Sequence, residues 1–245
     1  MRKDEQMMSN KYISLVRNGI YEIGTGIFAN VMRLSPLETG SILNNLYVVR
    51  TGSANFFIYR QNKNIICIDS GYGRNIVKRE LGKLGMDPGK VTHIFLTHTD
   101  YDHTDGLAVF DKAKIYMSSA EEQMITGRKA RKLGLLYNFR INRPYHLLKD
   151  KDVVTVGSIK IRAIATPGHT IGSMSYLVNE SILFVGDAFK MIGGRVYPKD
   201  RFISMSSDQE KESIQKLAGL DHIRLACTAH NGCTRDFSQA IRSWK

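Results

Sequence analysis

The segment from Thr97 to Gly106 restricts the fold of this chain more than any other stretch of its 245 residues. Four side chains that can bind a metal ion lie within six positions there, namely His98, Asp100, Asp102 and His103. The apolar run 93–96 before the segment predicts a buried strand, so the segment begins where a strand ends. Residues two apart on an extended chain point the same way, so the side chains at 98, 100 and 102 can converge, while the side chain at 103 reaches the other side of the turn. A polar loop with two histidines is the alternative interpretation of this segment alone.

Imidazole nitrogens and carboxylate oxygens both bind first-row divalent metals, and a mixed set suits zinc, iron or manganese. Three more candidate ligands follow short apolar runs further along the chain: His169, Asp187 and His230. Gly168 and Gly186 precede two of them and permit the tight turns that ligands at strand ends require. Together the candidate ligands are enough for two metal sites.

The order of these motifs, His-x-Asp-x-Asp-His, Pro-Gly-His, Gly-Asp and a final His, resembles the metallo-β-lactamase superfamily. Residues 53–58, followed by residues 68–71 (Ile-Asp-Ser-Gly), are also similar to that family's first hairpin and its Asp-x-Gly turn. The resemblance covers roughly residues 46–235. It implies an α/β fold, the four-layer αββα sandwich, with the metal site at the edge of the two sheets.

The resemblance also implies a role for each candidate residue. One metal would have three ligands of its own, His98, Asp100 and His169. A second metal would have three others, Asp102, His103 and His230. Asp187 would bridge the two ions, and Asp102 would also be catalytic, because it would orient the nucleophile. Asp69 is expected to orient a ligating histidine by a hydrogen bond without contacting the metal.

Two residues depart from the family pattern: Asp100, where histidine is usual, and Asp105, where glycine is common. The extra carboxylate at 100 would leave a dinuclear site nominally neutral, so its water would be polarised less and harder ions such as iron or manganese would be favoured. Flavodiiron proteins, which the resemblance includes, carry a glutamate at the position of Asp100 and bind iron. Two other interpretations stay open, that Asp100 binds zinc through oxygen and that it misses the metal. The effect of Asp105 is also open.

The expected function is a dinuclear metal-dependent hydrolase that uses a metal-bound hydroxide on an ester, thioester, lactone or phosphodiester. Zinc is the first expectation for the two divalent ions, with iron or manganese as alternatives. Two other functions are kept: a diiron redox or oxygen-handling protein, and a metal-binding protein with little catalysis. Fold alone does not choose among these substrates.

The chain is strongly basic, with 35 Lys and Arg against 23 Asp and Glu and a net charge of +12. Basic residues concentrate in the stretches 128–143 and 190–201. If either stretch overhangs the metals, it favours an anionic small-molecule substrate, with Lys190, Arg195 and Tyr197 as candidate binding residues. Solvated surface is the alternative explanation. Nucleic acid is a weaker expectation, because nucleases of this family typically carry a large inserted domain or a long arm.

The predicted organisation is a polar tail over residues 1–11 and a single domain over 12–245. No stretch approaches the roughly 18 apolar residues of a membrane span, and no signal peptide is evident, so a cytoplasmic protein is expected. Three cysteines give no disulfide framework. Cys67 and Cys227 are predicted to be buried thiols. Cys233 is predicted to have a structural role, with the lining of the site as the alternative. The oligomeric state is not predicted.

Hydrophobic periodicity and turn residues predict the order of helices and strands. Strands are predicted within 12–34 and at 47–50, 55–59, 65–68, 114–117, 153–156, 159–164, 174–178 and 181–185, and a loop over 35–45. Helices are predicted at 75–84, ending at Gly85, near 208–218 and at 236–243. Ser118 and Glu121 form the pattern of a capping box, which predicts a helix through Met124.

Overall fold

The computed structural model describes residues 34–131 and 141–245 of the chain. The tail predicted at 1–11, nearly all of the stretch 12–34 and the middle of the basic stretch 128–143 lie outside the described residues. Within them, the strands form a seven-stranded sheet, a six-stranded sheet and a two-stranded sheet. The domain boundary at residue 12 stays a prediction.

The first sheet contains its strands in chain order. They are β1 (Gly40–Leu43), β2 (Leu46–Thr51), β3 (Ala54–Gln61), β4 (Asn64–Ile68), β5 (His93–Phe95), β6 (Lys114–Ser118) and β7 (Tyr145–Leu148). Strands β1 to β4 pair antiparallel and β4 to β7 pair parallel. Strands β3 and β4 form a hairpin at the strands predicted over 55–59 and 65–68, and Asn62 turns the chain between them with a φ of 57°, which asparagine tolerates. The prediction of a loop over 35–45 is wrong for residues 40–43, because they form β1, which pairs with β2.

The second sheet has the order β15-β14-β11-β10-β9-β8. Its strands are β8 (Val153–Val156), β9 (Ile159–Ala165), β10 (Met174–Val178), β11 (Ile182–Gly186), β14 (Leu225–Thr228) and β15 (Cys233–Thr234). Strands β8 to β11 are antiparallel neighbours, whereas β14 runs parallel to β11. A separate small sheet pairs β12 (Lys190–Ile192) with β13 (Arg195–Tyr197). The four strands predicted between 153 and 185 are confirmed.

The helices are α1 (Arg74–Lys83), α2 (Tyr101–Thr104), α3 (Glu122–Ile125), α4 (Ser207–Ala218) and α5 (Phe237–Ala240). Gly85 follows α1 with a φ of 61°, as expected for a glycine just beyond a helix end. The helix predicted over 236–243 is shorter and continues as a 3₁₀ turn, Arg242–Trp244. None of the helices in the described part of the chain has the length and apolar character of a membrane span.

Three apolar layers hold the sheets and helices together. Phe57 and Phe184 lie in the core between the two sheets. Val77 of α1 belongs to a second cluster on the outer face of the first sheet, and Leu217 of α4 packs with Leu183 in a third cluster. Leu183 and Phe184 are consecutive on β11 and enter different layers, because successive side chains of a strand point to opposite faces. The fold is therefore the αββα sandwich that was expected.

The capping box predicted at Ser118 is wrong. Helix α3 begins at Glu122, and the Ser118 hydroxyl accepts a hydrogen bond from Ala120 N at 3.2 Å instead. The side chain of Glu121 makes no cap hydrogen bond to the helix. It turns inward and is buried, because its partners lie on other loops.

The absence of a disulfide is also a wrong expectation, because Cys227 and Cys233 form one. The two residues are direct partners on the antiparallel strands β14 and β15, with their Cα atoms 4.1 Å apart. Cys233 is therefore not a free thiol at the site. Cys67 is a buried free thiol as predicted, and burial raises its pKa.

Candidate metal centre

The two sheets meet at one edge, where the chain leaves β5 and β11. Met174 N donates a hydrogen bond to the carbonyl of Thr97 at 2.8 Å, and this contact joins the first residue of β10 to the loop after β5. Gly186 has a φ of 53°, and a Cβ added there would lie 2.4 Å from Thr97 Oγ1. Only glycine fits this close approach without displacement. The packing of the sheets therefore fixes His98, next to Thr97, against Asp187, next to Gly186.

All seven predicted ligands lie at this edge. The donor atoms of His98, His169 and Asp187 lie within 4.8 Å of one another, and so do those of a second group, Asp102, His103 and His230. Asp100 lies beside the first group. We call half-site A the donors of His98, Asp100 and His169 with Oδ2 of Asp187. We call half-site B the donors of Asp102, His103 and His230 with Oδ1 of Asp187.

In half-site A, the two carboxylates both lie close to Nε2 of His169. Asp100 Oδ2 lies 3.1 Å from His169 Nε2 and 3.6 Å from His98 Nε2. Asp187 Oδ2 lies 3.4 Å from His169 Nε2. The extra carboxylate at position 100 thus faces the same space as the two histidines.

Half-site B uses the other oxygen of Asp187. Asp187 Oδ1 lies 3.2 Å from His230 Nε2 and 3.9 Å from His103 Nε2. Asp102 Oδ2 lies 3.6 Å from His230 Nε2 and 3.8 Å from His103 Nε2. The two oxygens of Asp187 therefore face different half-sites, as the oxygens of a bridging carboxylate would.

The donor atoms fit divalent metal ions. His98 Nε2 and His103 Nε2 are buried, and neither makes a hydrogen bond with any described residue. A buried polar atom without a partner costs about 1–3 kcal/mol, so native proteins rarely leave one unpaired. Imidazole and carboxylate donors at this spacing are the ligands that zinc, iron and manganese take in proteins.

The backs of two histidines are held by hydrogen bonds. His103 Nδ1 lies 2.8 Å from Asp69 Oδ2, and the same carboxylate accepts hydrogen bonds from Thr97 N and Thr97 Oγ1 at 2.7 and 2.9 Å. His230 Nδ1 lies 2.7 Å from the carbonyl of Ser53, to which it donates. With Nδ1 engaged, Nε2 is the nitrogen that each ring presents to the centre. Asp69 thus has the hydrogen-bond contact that was expected of it.

Burial and neighbouring charge act in opposite directions on the two carboxylates of half-site A. Burial by itself raises the pKa of Asp100, but the hydrogen bond with His169 holds it well below its usual range. Burial also acts to raise the pKa of Asp187, and the charges of His230 and Lys199 outweigh it, so this pKa is well below its usual range too. Both groups are therefore carboxylates, the form that binds metals.

The pKa values of two buried histidines are shifted in opposite directions. Burial lowers the pKa of His169 to about 4. For His103, burial acts in the same direction, but the negative charges of Asp102 and Asp69 raise its pKa to about 10. A metal binds the deprotonated nitrogen, so an ion that binds at His103 releases a proton there.

Arg131 contacts Asp100 and was not predicted as a site residue. It is buried, with Nη2 3.3 Å from Asp100 Oδ2, and Nη1 donates to the carbonyl of His169 at 2.5 Å. It also donates to the carbonyl of Ile203. Asp100 adds a negative charge where the family usually has histidine, and the Arg131 guanidinium offsets that charge. Its position within a basic run, next to residues outside the described part, gave no signal of this role.

Lys199 was also missed. Its side chain is 3% exposed, and Nζ lies 2.7 Å from Asp187 Oδ2. Sequence analysis placed it in the basic stretch 190–201 but did not distinguish it from Lys190. No sequence signal separates the two, because the difference is that Lys199 turns inward.

Glu121 joins the loops that carry the ligands of half-site A. Its Oε1 accepts hydrogen bonds from Thr99 N and Thr99 Oγ1, both at 2.9 Å. Its Oε2 accepts from Thr170 Oγ1 at 2.7 Å and from Gly172 N at 3.1 Å. The contacts hold the residues beside His98 and His169 together, and burial raises the pKa of Glu121.

The remaining candidates lie outside the cluster of donors. Asp105 Oδ2 accepts a hydrogen bond from Gly73 N at 2.8 Å, so it caps the start of α1. Lys190 Nζ lies 2.8 Å from Asp200 Oδ1, and Arg195 is exposed. A cavity of about 580 Å³ includes Lys190 and Tyr197 in its lining. Its lining residues are Lys190, Ile192, Tyr197, Pro198, Lys199, Asp200, Arg201, Ser207 and Lys211, and Arg195 is not one of them.

Comparison with known proteins gives one family. A family model described as the metallo-beta-lactamase superfamily matches residues 49–230. A probable polyketide biosynthesis zinc-dependent hydrolase of Bacillus velezensis is 34% identical over 131 residues, which cover 52% of this chain and 51% of that protein. A hydroxyacylglutathione hydrolase of Buchnera aphidicola is 27% identical over 195 residues, which cover 79% of this chain and 65% of that protein. The chain thus spans 51% and 65% of the lengths of these two relatives.

Solved structures share the fold. A B3 metallo-beta-lactamase described as having an active-site glutamic acid superposes with a TM-score of 0.65 at 22% identity, covering 89% of this chain and 90% of that one. An archaeal metallo-beta-lactamase superfamily protein from Sulfolobus tokodaii superposes with a TM-score of 0.61 at 20% identity, covering 82% and 84%. At such identities the likeness concerns the fold alone.

Proposed function

Because the chain belongs to the metallo-beta-lactamase superfamily, we propose that it is a metal-dependent hydrolase with two divalent ions, zinc before iron or manganese. His98, Asp100 and His169 would hold one ion, and Asp102, His103 and His230 the other. Asp187 would contact both. The proposed substrate is an anionic small molecule with an ester, thioester, lactone or phosphodiester bond.

One observation carries the proposal: the two oxygens of Asp187 face two separate groups of imidazole nitrogens. Oδ2 lies 3.4 Å from His169 Nε2, and Oδ1 lies 3.2 Å from His230 Nε2. A carboxylate that only paired with one histidine would not need this arrangement. When bound, the divalent ions would activate a water molecule as nucleophile and stabilise negative charge on the attacked group.

The other residues of the site would orient the attacking water and the metal-binding histidines. The side chain of Asp102 is 27% exposed, against 5% for Asp187, so water and substrate can reach it. We therefore assign Asp102 to orient the attacking water. Asp69 and the Ser53 carbonyl fix His103 and His230 with Nε2 towards the centre. The task of these two contacts is to hold the ligands ready before substrate arrives.

The choice of substrate follows from charge and from the relatives. Lys199 contacts Asp187 and also lines the cavity that contains Lys190 and Tyr197, so this basic cavity adjoins the centre. Such a wall favours an anionic group on the substrate. We place thioesters first in a screen because one relative is named hydroxyacylglutathione hydrolase. The diiron alternative loses its main support, because Asp100 is paired with Arg131.

The test combines metal content with hydrolysis by the full chain. We expect elemental analysis to find two zinc ions per chain, and we expect hydrolysis of at least one of the four bond classes. Removal of the ions with a chelator should abolish this hydrolysis, and added zinc should restore it. Hydrolysis that survives complete metal removal contradicts the proposal. Two iron ions without hydrolysis would favour the redox alternative instead.

A further inference from the structure

Fixed positive charges surround only one half of the centre within the described residues. Arg131 lies 3.3 Å from Asp100 Oδ2, and Lys199 Nζ lies 2.7 Å from Asp187 Oδ2. Both oxygens belong to half-site A. In the part of the chain that the structure describes, the ion pairs of the half-site B donors involve only imidazole rings.

Both cations are built into the structure. With backbone and side chain counted together, Arg131 is 7% exposed and Lys199 is 6% exposed. A buried charge is costly unless it is paired, and Arg131 is held further by the carbonyls of His169 and Ile203. The backbone of Lys199 is fixed as well, because its N–H donates to Glu210 Oε1 at 2.5 Å. Arg131 and Lys199 are therefore ordered, buried parts of the site, unlike the solvated basic residues of the surface.

The two cations affect a metal in half-site A in different ways. The Arg131 guanidinium cancels the charge of Asp100, so the Asp100 and Arg131 pair is as neutral as the histidine usual in the family. The Lys199 ammonium forms an ion pair with Asp187 Oδ2, the oxygen that faces half-site A. A divalent ion there must share that oxygen with a positive charge or displace it. Among the described residues, half-site B has no lysine or arginine at its donors, and the proton that an ion displaces from His103 leaves for the solvent instead of staying beside the site.

We propose that Arg131 and Lys199 are internal counter-ions that make the two half-sites unequal, so that half-site B takes the first divalent ion and half-site A takes a second ion more weakly. The inference rests on the proposed metal centre and assigns its order of filling. Lys199 controls the gap between the two affinities, because its ammonium group competes directly for Asp187 Oδ2. Arg131 is a positioning residue that holds Asp100 and the His169 loop.

The test is a zinc titration of the metal-free full chain against a competing chelator, with two dissociation constants as the readout. We expect the constants of the wild type to differ by about tenfold or more, because a unit charge at hydrogen-bond distance is worth at least that factor even with strong screening. Lys199→Met should tighten the weaker constant by about tenfold and change the tighter one by less than about threefold. Lys199→Arg retains the charge and should retain the gap.

Two further variants identify the half-sites. His230→Ala should remove the tighter constant, and His98→Ala should remove the weaker one. Lys211→Met is the matched control, because this lysine lines the same cavity but pairs with Asp208 on the surface. It should leave both constants unchanged. Circular dichroism and thermal unfolding of each metal-free variant check the fold, and Lys199→Gln is the replacement if Lys199→Met does not fold.

The outcomes separate this inference from the proposed function. If the wild type binds no zinc at the centre, the proposed function itself fails. If it binds two zinc ions with equal constants, or if neutral substitution of Lys199 leaves the weaker constant unchanged, the metal centre stands and the counter-ion role is wrong. Loss of the tighter constant in His98→Ala would reverse the assigned order.

Discussion

The two halves of the metal centre have similar donors but different supports. Half-site A depends on side chains from distant parts of the chain, since Arg131, Lys199 and Glu121 all contact its donors or the loops that carry them. Half-site B depends instead on hydrogen bonds made by the Nδ1 atoms of its two histidines. Its His103 is held by Asp69, and its His230 by the carbonyl of Ser53.

The loop of His230 has a further covalent support. The disulfide between Cys227 and Cys233 closes the chain on either side of that loop. The supports of half-site A are charged side chains, whereas those of half-site B are one carboxylate, one backbone carbonyl and a covalent bond. Changes at Arg131, Lys199 or Glu121 should therefore affect mainly half-site A, whereas changes behind His103 or in the loop of His230 should affect mainly half-site B.

Asp187 is the residue at which this comparison breaks down, because it belongs to both halves. We expect Asp187→Ala to lose both zinc ions and to lower hydrolysis by about a thousandfold or more, as expected when groups that act together lose a shared member. Elemental analysis and initial rates measure the two effects. Asp111→Ala, at an exposed aspartate, is the control and should keep both ions. A variant of Asp187 that kept its full metal content would show that the carboxylate does not bridge.

Asp69→Asn should act mainly on half-site B, where the Asp69 side chain contacts His103 directly and not through Thr97. The amide keeps the size of the side chain but removes the carboxylate that contacts His103 Nδ1 and accepts from Thr97. Loss of such a partner typically lowers metal affinity by about 10- to 100-fold. In the zinc titration, the tighter constant should weaken by this factor, with the weaker one nearly unchanged. Equal weakening of both constants would mean that Asp69 supports the edge of the sheets as a whole.

The candidate ligands could be predicted because each follows a strand at the same edge of the fold. His98 comes shortly after β5, Asp187 directly after β11, and His230 shortly after β14. Parallel pairing of β11 with β14 brings the ends of those strands together. The spacing within 97–106 and the glycine before Asp187 already indicate in the sequence that these donors follow strand ends, where the structure has them.

The supports of half-site A could not be predicted, because their partners are set by tertiary packing. Arg131 lies in a run of basic residues, and no sequence pattern says which of them turns inward towards Asp100. Glu121 matches a capping box with Ser118, but contacts to Thr170 and Gly172 outweigh that local pattern. The odd number of cysteines likewise concealed a disulfide, because pairing depends on strand register rather than on the count.

Glu121→Gln should act mainly on half-site A. An amide nitrogen cannot accept the hydrogen bond from Gly172 N, and a buried N–H without a partner costs about 1–3 kcal/mol. We expect chemical denaturation of the metal-free protein to show a loss in this range, and the weaker zinc constant to weaken by about tenfold. Glu122→Gln is the matched control, since the neighbouring carboxylate accepts a hydrogen bond from the Tyr145 hydroxyl at 2.9 Å instead of from the loops of half-site A. A larger effect on the tighter constant would contradict the division between the two halves.

Cys233→Ser should give the smallest effect on metal binding, because it loosens the loop of His230 without removing a donor. For a loop closed by residues six apart, chain entropy predicts a loss of about 2 kcal/mol in the free energy of unfolding. The hydrogen bond from His230 to the Ser53 carbonyl remains, so the tighter zinc constant should weaken by only about two- to fivefold. A reductant should reproduce this change in the wild type and have no further effect on the variant. Thiol counting under denaturing conditions checks the bond itself, with one free thiol expected before reduction and three after it. If reduction weakens the other constant instead, the disulfide supports half-site A, and the contrast between covalent and electrostatic support is wrong.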